Sequence, residues 1–280
     1  MANEIGVTEV SATSQDIIAS LVLQTLKQES KLLPLISDFS QFATKGAQSV
    51  KIPRRTQFAA ADKAENTDLT AQVLTFAVDT ISLNKNKAIY SKLERIAEVQ
   101  ATPNVESEII LEMAKELALQ VDKDIYVQLL LASAAAPDHR IAYVGASLAQ
   151  VDILEAMRLL KVQNVPMSDM AMVLSPKDEK AVLQIADFIR ADGANFNPNP
   201  LQTGIVGKVY GMPIVVTNVA TDDRAIVFHK SAVGYASELQ PEFSTNKDLK
   251  ATAKEYLLQM IYGCTVLDSG KRQVLLGSAT

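Results

Sequence analysis

Two neighbouring stretches, residues 164–177 and 204–218, constrain the fold more than any other part of the chain. The first predicts a helix end, a short apolar strand at residues 170–174, and a new helix that Ser175 caps and Pro176 begins. The second predicts a glycine-containing turn that leads into a buried strand. Because helices alternate with strands here, this region is predicted to be a mixed α/β domain. Neither stretch contains a residue suited to catalysis.

The longest predicted helix begins at Thr102-Pro103, where Thr caps the helix and Pro takes its first position. Roughly 30 residues would make a rod of about 45 Å. Apolar side chains recur in steps of four from Val105 to Leu129, and a second apolar face consists of Leu111, Leu119, Tyr126 and Leu130. The rod is therefore expected to be covered on more than one side. Asp122 and Asp124 are assigned to its polar, solvated face.

Residues 47–83 predict a long β-hairpin with a polar tip. Pro53 marks an edge or a strand end, because proline cannot donate a ladder hydrogen bond. A hairpin of two strands is only marginally stable in water. We therefore expect support from outside its own fold, which repeated neighbours would supply.

Elements near the two termini are also predicted. Ser14 can cap an amphipathic helix that includes Val22 and Leu26. Residues 249–262 predict a long strand that packs against the long helix. A final strand, Gln273–Leu276, is expected to close the sheet to which that long strand belongs.

Composition excludes several classes of protein. The net charge is −5 and aromatic residues make up 5% of the chain, so neither a basic stripe nor a stacking platform for nucleic acid is expected. With Cys264 as the only cysteine, no intrachain disulfide can form. The N-terminus lacks the pattern of a signal peptide, and no run reaches the roughly 18 apolar residues of a membrane span. These features favour a cytosol-like compartment.

No arrangement of residues predicts chemistry. His139 and His229 each stand alone, without a cysteine or carboxylate at metal-ligand spacing. The glycines at 204, 207 and 211 match neither a dinucleotide-binding nor a phosphate-binding pattern, and no serine elbow of the G-x-S-x-G type occurs. These residues therefore predict no catalytic, cofactor or metal site, although a Ser/His/Asp set with members far apart in the chain stays open.

Taken together, the chain resembles the major capsid proteins of tailed bacteriophages with the Hong Kong 97-type fold. The resemblance rests on a shared order of short motifs, which are Ile81–Ala88, Asn164–Pro166, Leu174–Pro176, Gly204–Asn218 and Ile226–Ala232. The fold class it implies is α+β, with a long spine helix, an extended β-hairpin loop, a mixed α/β axial domain and a peripheral domain of long β-strands.

The resemblance also implies a division of the chain into domains. The expected parts are an N-terminal arm at 1–45, the hairpin loop at 46–92, a peripheral domain at 93–140 and 239–280, and an axial domain at 141–238. Subunits would form hexamers and pentamers of an icosahedral shell that encloses double-stranded DNA without sequence-specific contact. Expected partners are other copies of the chain, a portal and a decoration protein. A separate scaffolding protein is expected too, since about forty residues before the hairpin are too few for a fused one. The shell would be assembled in the host cytoplasm and located in the virion.

Inter-subunit contacts are expected at two places. One is the hairpin, at Lys51, Arg54, Arg55 and Lys63. The other is a loop at 191–203 that would point toward the local symmetry axis, with Asn195, Asn197 and Asn199. The basic residues have an alternative interpretation as a solvated strand edge.

Two other functions stay open on the sequence alone. One is an encapsulin-type nanocompartment shell protein of the same fold. The other is a small α/β enzyme built on residues 141–238.

Overall fold

The computed structural model describes residues 22, 30–44, 46–55, 58, 60–63, 65–66, 68, 70–95, 105–145, 147–185, 208–248 and 252–277. The start of the predicted spine helix at Thr102-Pro103 lies outside this set. The amphipathic helix predicted from Ser14 also lies outside it, apart from Val22, which is buried.

The described residues form twelve strands and three α-helices. The strands are β1 (Ser37–Asp38), β2 (Ser49–Arg55), β3 (Phe76–Ser82), β4 (Lys85–Glu94), β5 (Arg140–Ile141), β6 (Met170–Leu174), β7 (Lys208–Val209), β8 (Met212–Val216), β9 (Arg224–His229), β10 (Val233–Asp248), β11 (Ala253–Val266) and β12 (Gln273–Gly277). The helices are α1 (Val105–Leu129), α2 (Gln150–Val162) and α3 (Pro176–Leu183).

The first sheet has the strand order β1-β10-β11-β4 and is covered on one face by α1. Strands β10 and β11 pair antiparallel from Val233–Val266 to Asp248–Ala253, and β4 continues the antiparallel ladder on the other side of β11. Side chains of α1 and β11 share one hydrophobic core. The predicted packing of the long strand against the long helix is therefore confirmed.

The second sheet has the order β5-β12-β9-β6-β8-β7. All five residues of β6 are buried, because the strand lies in the middle of the sheet between two layers of side chains. Ser175 caps α3 by accepting a hydrogen bond from the Asp178 N–H at 3.2 Å, as the sequence predicts. Helix α2 packs against β12 and β9. This sheet with its two helices is the predicted mixed α/β unit.

The prediction for the last strand was wrong. Strand β12 does not close the first sheet but pairs with β9 and β5 in the second. The turn at residues 267–272 takes the chain from one sheet to the other. Val274 and Leu276 are fully buried in the core of the second sheet, and this burial explains why β12 pairs there and not in the first sheet.

Two long strands were not predicted from the sequence. Strand β10 contains Gly234, Ser237 and Pro241 among many polar residues, a composition typical of loops. Strand β4 contains three lysines, and every second residue of it is exposed. Both are strands because β11 offers a long hydrogen-bonding partner on each of its edges.

Helix α1 is covered on one side along most of its length. Over Val105–Leu129 it has 25 residues, which corresponds to about 37 Å. Its predicted main face is buried, with Leu117, Val121 and Ile125 at most 1% exposed. On the predicted second face, Leu111 and Leu119 are 38% and 39% exposed, whereas Tyr126 is 3% exposed and Leu130 packs against the core, so that face is covered only toward the end of the helix.

Asp122 is not on a solvated face, contrary to the prediction. It is 4% exposed and accepts hydrogen bonds from the Ser30 hydroxyl at 2.5 Å and from the backbone N–H groups of Lys31 and Leu32 at 2.9 and 3.3 Å. Burial raises the pKa of Asp122, and these hydrogen bonds only partly offset the effect. The carboxylate thereby holds residues 30–32 against α1.

Asp124 also has a structural role. It accepts a hydrogen bond from the Tyr262 hydroxyl at 2.7 Å and lies 3.0 Å from the Lys85 ammonium, so it connects α1 to both β11 and β4. Burial alone would raise the pKa of Asp124, but the bonds from Tyr262 and Lys85 outweigh it and the pKa is lowered.

The hairpin of β2 and β3 is confirmed, in register from Ser49–Ser82 to Arg55–Phe76. Pro53 lies inside β2, which is allowed because each strand of a two-stranded hairpin is an edge. At the base, Val50, Ile81 and Leu83 form a small core with Ala236 of β10. Gly263 of β11 lies directly under this base, and a Cβ there would overlap the Ser82 carbonyl.

We expect Gly263→Ala to lower the free energy of unfolding by about 3 kcal/mol, because neither backbone can move away without breaking its ladder. Gly145→Ala is the matched control, since its Cβ would meet nothing closer than 4.0 Å. It should change stability by less than about 0.5 kcal/mol. Denaturant unfolding of both variants measures the difference, and equal effects would contradict the close approach.

We expect Asp122→Asn to change the pH dependence of stability with a defined sign. Because the folded pKa of Asp122 lies above the unfolded value of 3.8, its contribution is fully present below that value. The contribution is then lost as pH rises through the folded pKa. The free energy of unfolding of Asp122→Asn should therefore rise relative to that of wild type as pH increases from below 3.8 through the raised pKa of folded Asp122.

Asp124→Asn is the control with the opposite sign. The lowered pKa of Asp124 gives stability that is present above the unfolded value and lost as pH falls. This variant should lose stability relative to wild type as pH rises. Urea unfolding across the pH series measures both, and parallel curves for the two variants would refute the assignment.

Candidate assembly surface

The hairpin has two faces that differ in what covers them. Paired residues of antiparallel strands share a face, and successive residues alternate. Val50, Ile52 and Arg54 therefore face the body of the subunit together with their partners Ile81 and Asp79. This inner face is half-buried or buried along β2 and at Ile81 and Asp79 of β3, whereas Ala77, the partner of Arg54, is exposed.

The outer face of the hairpin consists of Lys51, Pro53 and Arg55 on β2 with Thr80, Val78 and Phe76 opposite them. Phe76 is 56% exposed and Val78 is 53% exposed. The centre of this face is apolar, and a cation lies at each end of its β2 edge. Contiguous exposed apolar side chains with a polar rim are typical of a protein-binding surface.

Helix α1 presents a second exposed surface, which we call the outer stripe of α1. It consists of Leu111 and Leu119 with Glu108, Glu112 and Glu116, which share a side of the helix at spacings of three and four. Lys115 lies among them and contacts Glu112 at 3.4 Å. The stripe is apolar with a net acidic rim. It therefore complements the outer face of the hairpin in both hydrophobicity and charge.

A third exposed apolar surface lies on α2, where Val151, Leu154 and Val162 are 61%, 45% and 54% exposed. Arg158 and Glu155 pair with each other on the same helix at 2.6 Å. Lys161 is also exposed beside Arg158 and Leu154, so this surface lacks the acidic rim that would match the cations of the hairpin.

The predicted contact residues lie in three different settings. Lys51 and Arg55 are on the outer face of the hairpin, and Lys63 is exposed near its tip. Arg54 is on the inner face, where it forms an ion pair with Asp268 of the same subunit. Asn195, Asn197 and Asn199 lie outside the described residues.

Phe76 and Val78 were not predicted as contact residues. The sequence did contain a signal for them. Ile81 is an odd number of residues away from both Phe76 and Val78, so all three cannot be buried on one face of a strand. Once Ile81 faces the core, Phe76 and Val78 must face outward.

The histidines and the cysteine, which are the residue types most often used in catalysis or metal binding, have packing and hydrogen-bonding roles within the subunit. The described part of the chain holds no group of three or more His, Cys, Asp or Glu side chains placed to bind a metal. His139 is buried, with Nδ1 3.0 Å from the Gln273 carbonyl oxygen. His229 caps a short turn by accepting from the Ser231 N–H at 3.1 Å. Burial raises the pKa of the Cys264 thiol to about 11, which disfavours a reactive thiolate.

Among the described residues, no helix is both long and apolar enough to cross a membrane.

Comparison with known proteins gives consistent results. A family model described as phage capsid protein matches residues 78–270. No curated protein matches the chain by sequence.

Several solved structures share the fold. A structure from Mycobacterium phage Che8 superposes with a TM-score of 0.73 at 22% identity, covering 89% of this chain and 92% of that one. The capsid of cyanophage P-SCSP1u gives 0.72 at 17% identity, covering 88% and 87%. The capsid of a native GTA particle gives 0.71 at 14% identity, covering 90% and 91%. At these identities the likeness concerns the fold.

Proposed function

The chain belongs to the phage capsid protein family, and on that premise we propose that it forms hexamers and pentamers of an icosahedral shell around double-stranded DNA. Its membership makes it a structural subunit of a virion capsid, not an enzyme, and one that associates with its own copies. The predicted α+β capsid fold of the Hong Kong 97 type is confirmed by the structural matches. The family match favours a viral shell over the encapsulin alternative.

The observation that carries the proposal is the outer face of the hairpin. Phe76 and Val78 project from a hairpin that, in the described part of the subunit, is covered on its inner face only. Completing the burial of two such side chains contributes at most about 1.5–3 kcal/mol each. A neighbouring copy supplies the cover, since a shell places identical copies side by side.

The surface that receives the hairpin is the outer stripe of α1 in the neighbouring copy. Its leucines match the apolar centre of the hairpin, and Glu108 and Glu116 match Lys51 and Arg55 in charge. Each such contact is weak by itself. Closure of a shell multiplies many weak contacts, so the subunit can stay soluble before assembly and stable after it.

The remaining roles follow from the same proposal. We take the hairpin of β2 and β3 as the hairpin loop, the first sheet with α1 as the peripheral domain, and the second sheet with α2 and α3 as the axial domain. Strand β4, which lies mostly within the predicted hairpin loop at 46–92, then belongs to the first sheet. By its pairing, β12 is assigned to the axial unit. A net charge of −5 suits a shell that encloses DNA without gripping it. Assembly in the host cytoplasm, and a scaffolding protein, a portal and a decoration protein as partners, stay predictions of the resemblance.

Negative-stain electron microscopy with light scattering tests the assembly. We expect closed particles, rings or shells tens of nanometres across, in equilibrium with smaller species at low protein concentration. A stable monomer or dimer at every concentration and salt, also in the presence of the phage's scaffolding protein, would refute shell formation.

We expect Phe76→Ser combined with Val78→Ser to abolish or strongly reduce particle formation without lowering the melting temperature of the free subunit. The apolar centre of the outer face would be lost, while the buried base of the hairpin would be unchanged. Val144→Ser is the control, because Val144 is 79% exposed but lies outside the hairpin. Sedimentation of assembled material measures the effect, and equal losses in both would argue against a specific hairpin contact.

Charge reversal tests the partner surface. Lys51→Glu with Arg55→Glu should weaken assembly, because the hairpin would then meet glutamates of the neighbour. Adding Glu108→Lys and Glu116→Lys should restore it. Failure of the combined variant to recover, while it remains folded, would exclude the outer stripe of α1 as the receiving surface.

A further inference from the structure

Three consecutive residues of the turn between β11 and β12 have left-handed backbone conformations. Asp268 and Ser269 both have φ of 51°, and Gly270 has φ of 74°. Two non-glycine residues in this region are energetically unfavourable, at about 1–3 kcal/mol each, unless the surroundings hold them. The contacts that hold this turn are therefore informative.

Asp268 binds both strands of the hairpin. Its carboxylate pairs with the Arg54 guanidinium of β2. Its backbone N–H donates to the Asp79 carboxylate of β3 at 3.0 Å. Arg54 and Asp79 both lie on the inner face of the hairpin, away from the outer face that the proposed function uses.

The same turn binds the second sheet. Arg272 donates from Nε to the Asp268 carboxylate at 3.2 Å and from its terminal nitrogen to the Ser231 hydroxyl at 2.6 Å. The backbone N–H of His229, at the end of β9, donates to the Arg272 carbonyl at 3.0 Å. Asp268 therefore contacts both the hairpin and, through Arg272, the second sheet, which we call the axial sheet because it forms the proposed axial domain.

The turn also contacts the segment that follows α1. The Ser133 N–H donates to the Gly270 carbonyl at 3.1 Å. A Cβ at position 270 would overlap the Leu131 carbonyl, so this approach requires glycine. The hairpin, the axial sheet and the end of α1 all meet at residues 268–270.

We propose that Asp268 is a positioning residue that sets the direction in which the hairpin leaves the subunit. The small core around Val50 and Ile81 holds the hairpin at its base. A hairpin that is attached only at its base can still change its angle to the rest of the subunit. Arg54 is four residues further along β2, about 13 Å from Val50, and its pair with Asp268 supplies a second point.

The consequence for assembly rests on the proposed function. Hairpin direction decides whether the outer face reaches the outer stripe of α1 in a neighbour. Because Arg272 ties the same carboxylate to β9, a shift of the axial sheet would be transmitted to the hairpin through Asp268. Hinge movements commonly occur at a few turn residues that connect two packed units, as residues 268–270 connect the hairpin and the axial sheet.

The direction of the hairpin can be measured in the free full-length subunit. Spin labels at Val73→Cys in the hairpin loop and Lys123→Cys on α1, in a Cys264→Ala background, report one distance by pulsed electron paramagnetic resonance. Arg54→Gln and Asp268→Asn each remove the ion pair. Asparagine tolerates the left-handed conformation, but Asp268→Asn also removes the charge that pairs with Arg272, so Arg54→Gln is the variant specific to the hairpin contact.

We expect both variants to broaden and shift the distance distribution, and Arg54→Gln to do so with an unchanged melting temperature. Amide exchange in β2 and β3 should become about fivefold faster. Arg54→Lys should recover most of the wild-type distribution. Arg55→Gln is the matched control, since Arg55 faces outward beside Arg54 and should leave the distance unchanged.

Three results would overturn the proposal. They are a wild-type distribution in Arg54→Gln, an equal change in Arg55→Gln, or a loss of melting temperature that accounts for the broadening. Assembly is scored separately on the same variants. Arg54→Gln should give particles of altered or mixed diameter, whereas Arg55→Gln should only weaken assembly. If wild type itself forms no particles, the proposed function fails while the distance result still decides the role of Asp268.

Discussion

The rest of the subunit depends on the packing of α1 against the long ribbon of β10 and β11. These strands have 16 and 14 residues. A pair of strands is at best marginally stable by itself, so the ribbon needs a helix to cover one face. Tyr256, Leu258 and Tyr262 of β11 are buried beneath the helix. Burial of each such side chain contributes about 1.5–3 kcal/mol. Asp122 and Asp124 then anchor the N-terminal segment and β4 to the same helix.

A frame of this kind can hold a hairpin that is not stable by itself. The hairpin rests on close backbone contacts at Gly263 and on the ion pair between Arg54 and Asp268. Its inner face is covered by its own subunit along β2 and at Ile81 and Asp79, whereas Phe76 and Val78 on the outer face are exposed. Such an arrangement is unfavourable for an isolated protein and suited to a subunit that is completed by neighbouring copies. The family membership and the difference between the two faces of the hairpin therefore both support a subunit that associates with its own copies.

Elements with strong local signals could be predicted from the sequence. Ser175-Pro176 begins a helix because its cap and its proline act within one turn, and β6 is an uninterrupted apolar run. Strands β4 and β10 could not be predicted, because their residues become strands only beside β11. The same limit applied to Asp122. An acid on a helix looks solvated until another segment of the chain, here Ser30–Leu32, is placed over it.

The sequence by itself determined the class of protein, the order of the main elements and the parity that turns Phe76 and Val78 away from Ile81. These features depend on periodicity and on residues close together in the chain. Only the tertiary structure decided that β12 joins the second sheet, that Arg54 faces inward and that Asp268 connects the hairpin to β9 through Arg272. The physical reason is that these contacts join residues between four and more than two hundred positions apart, and their partners are chosen by burial and charge in three dimensions.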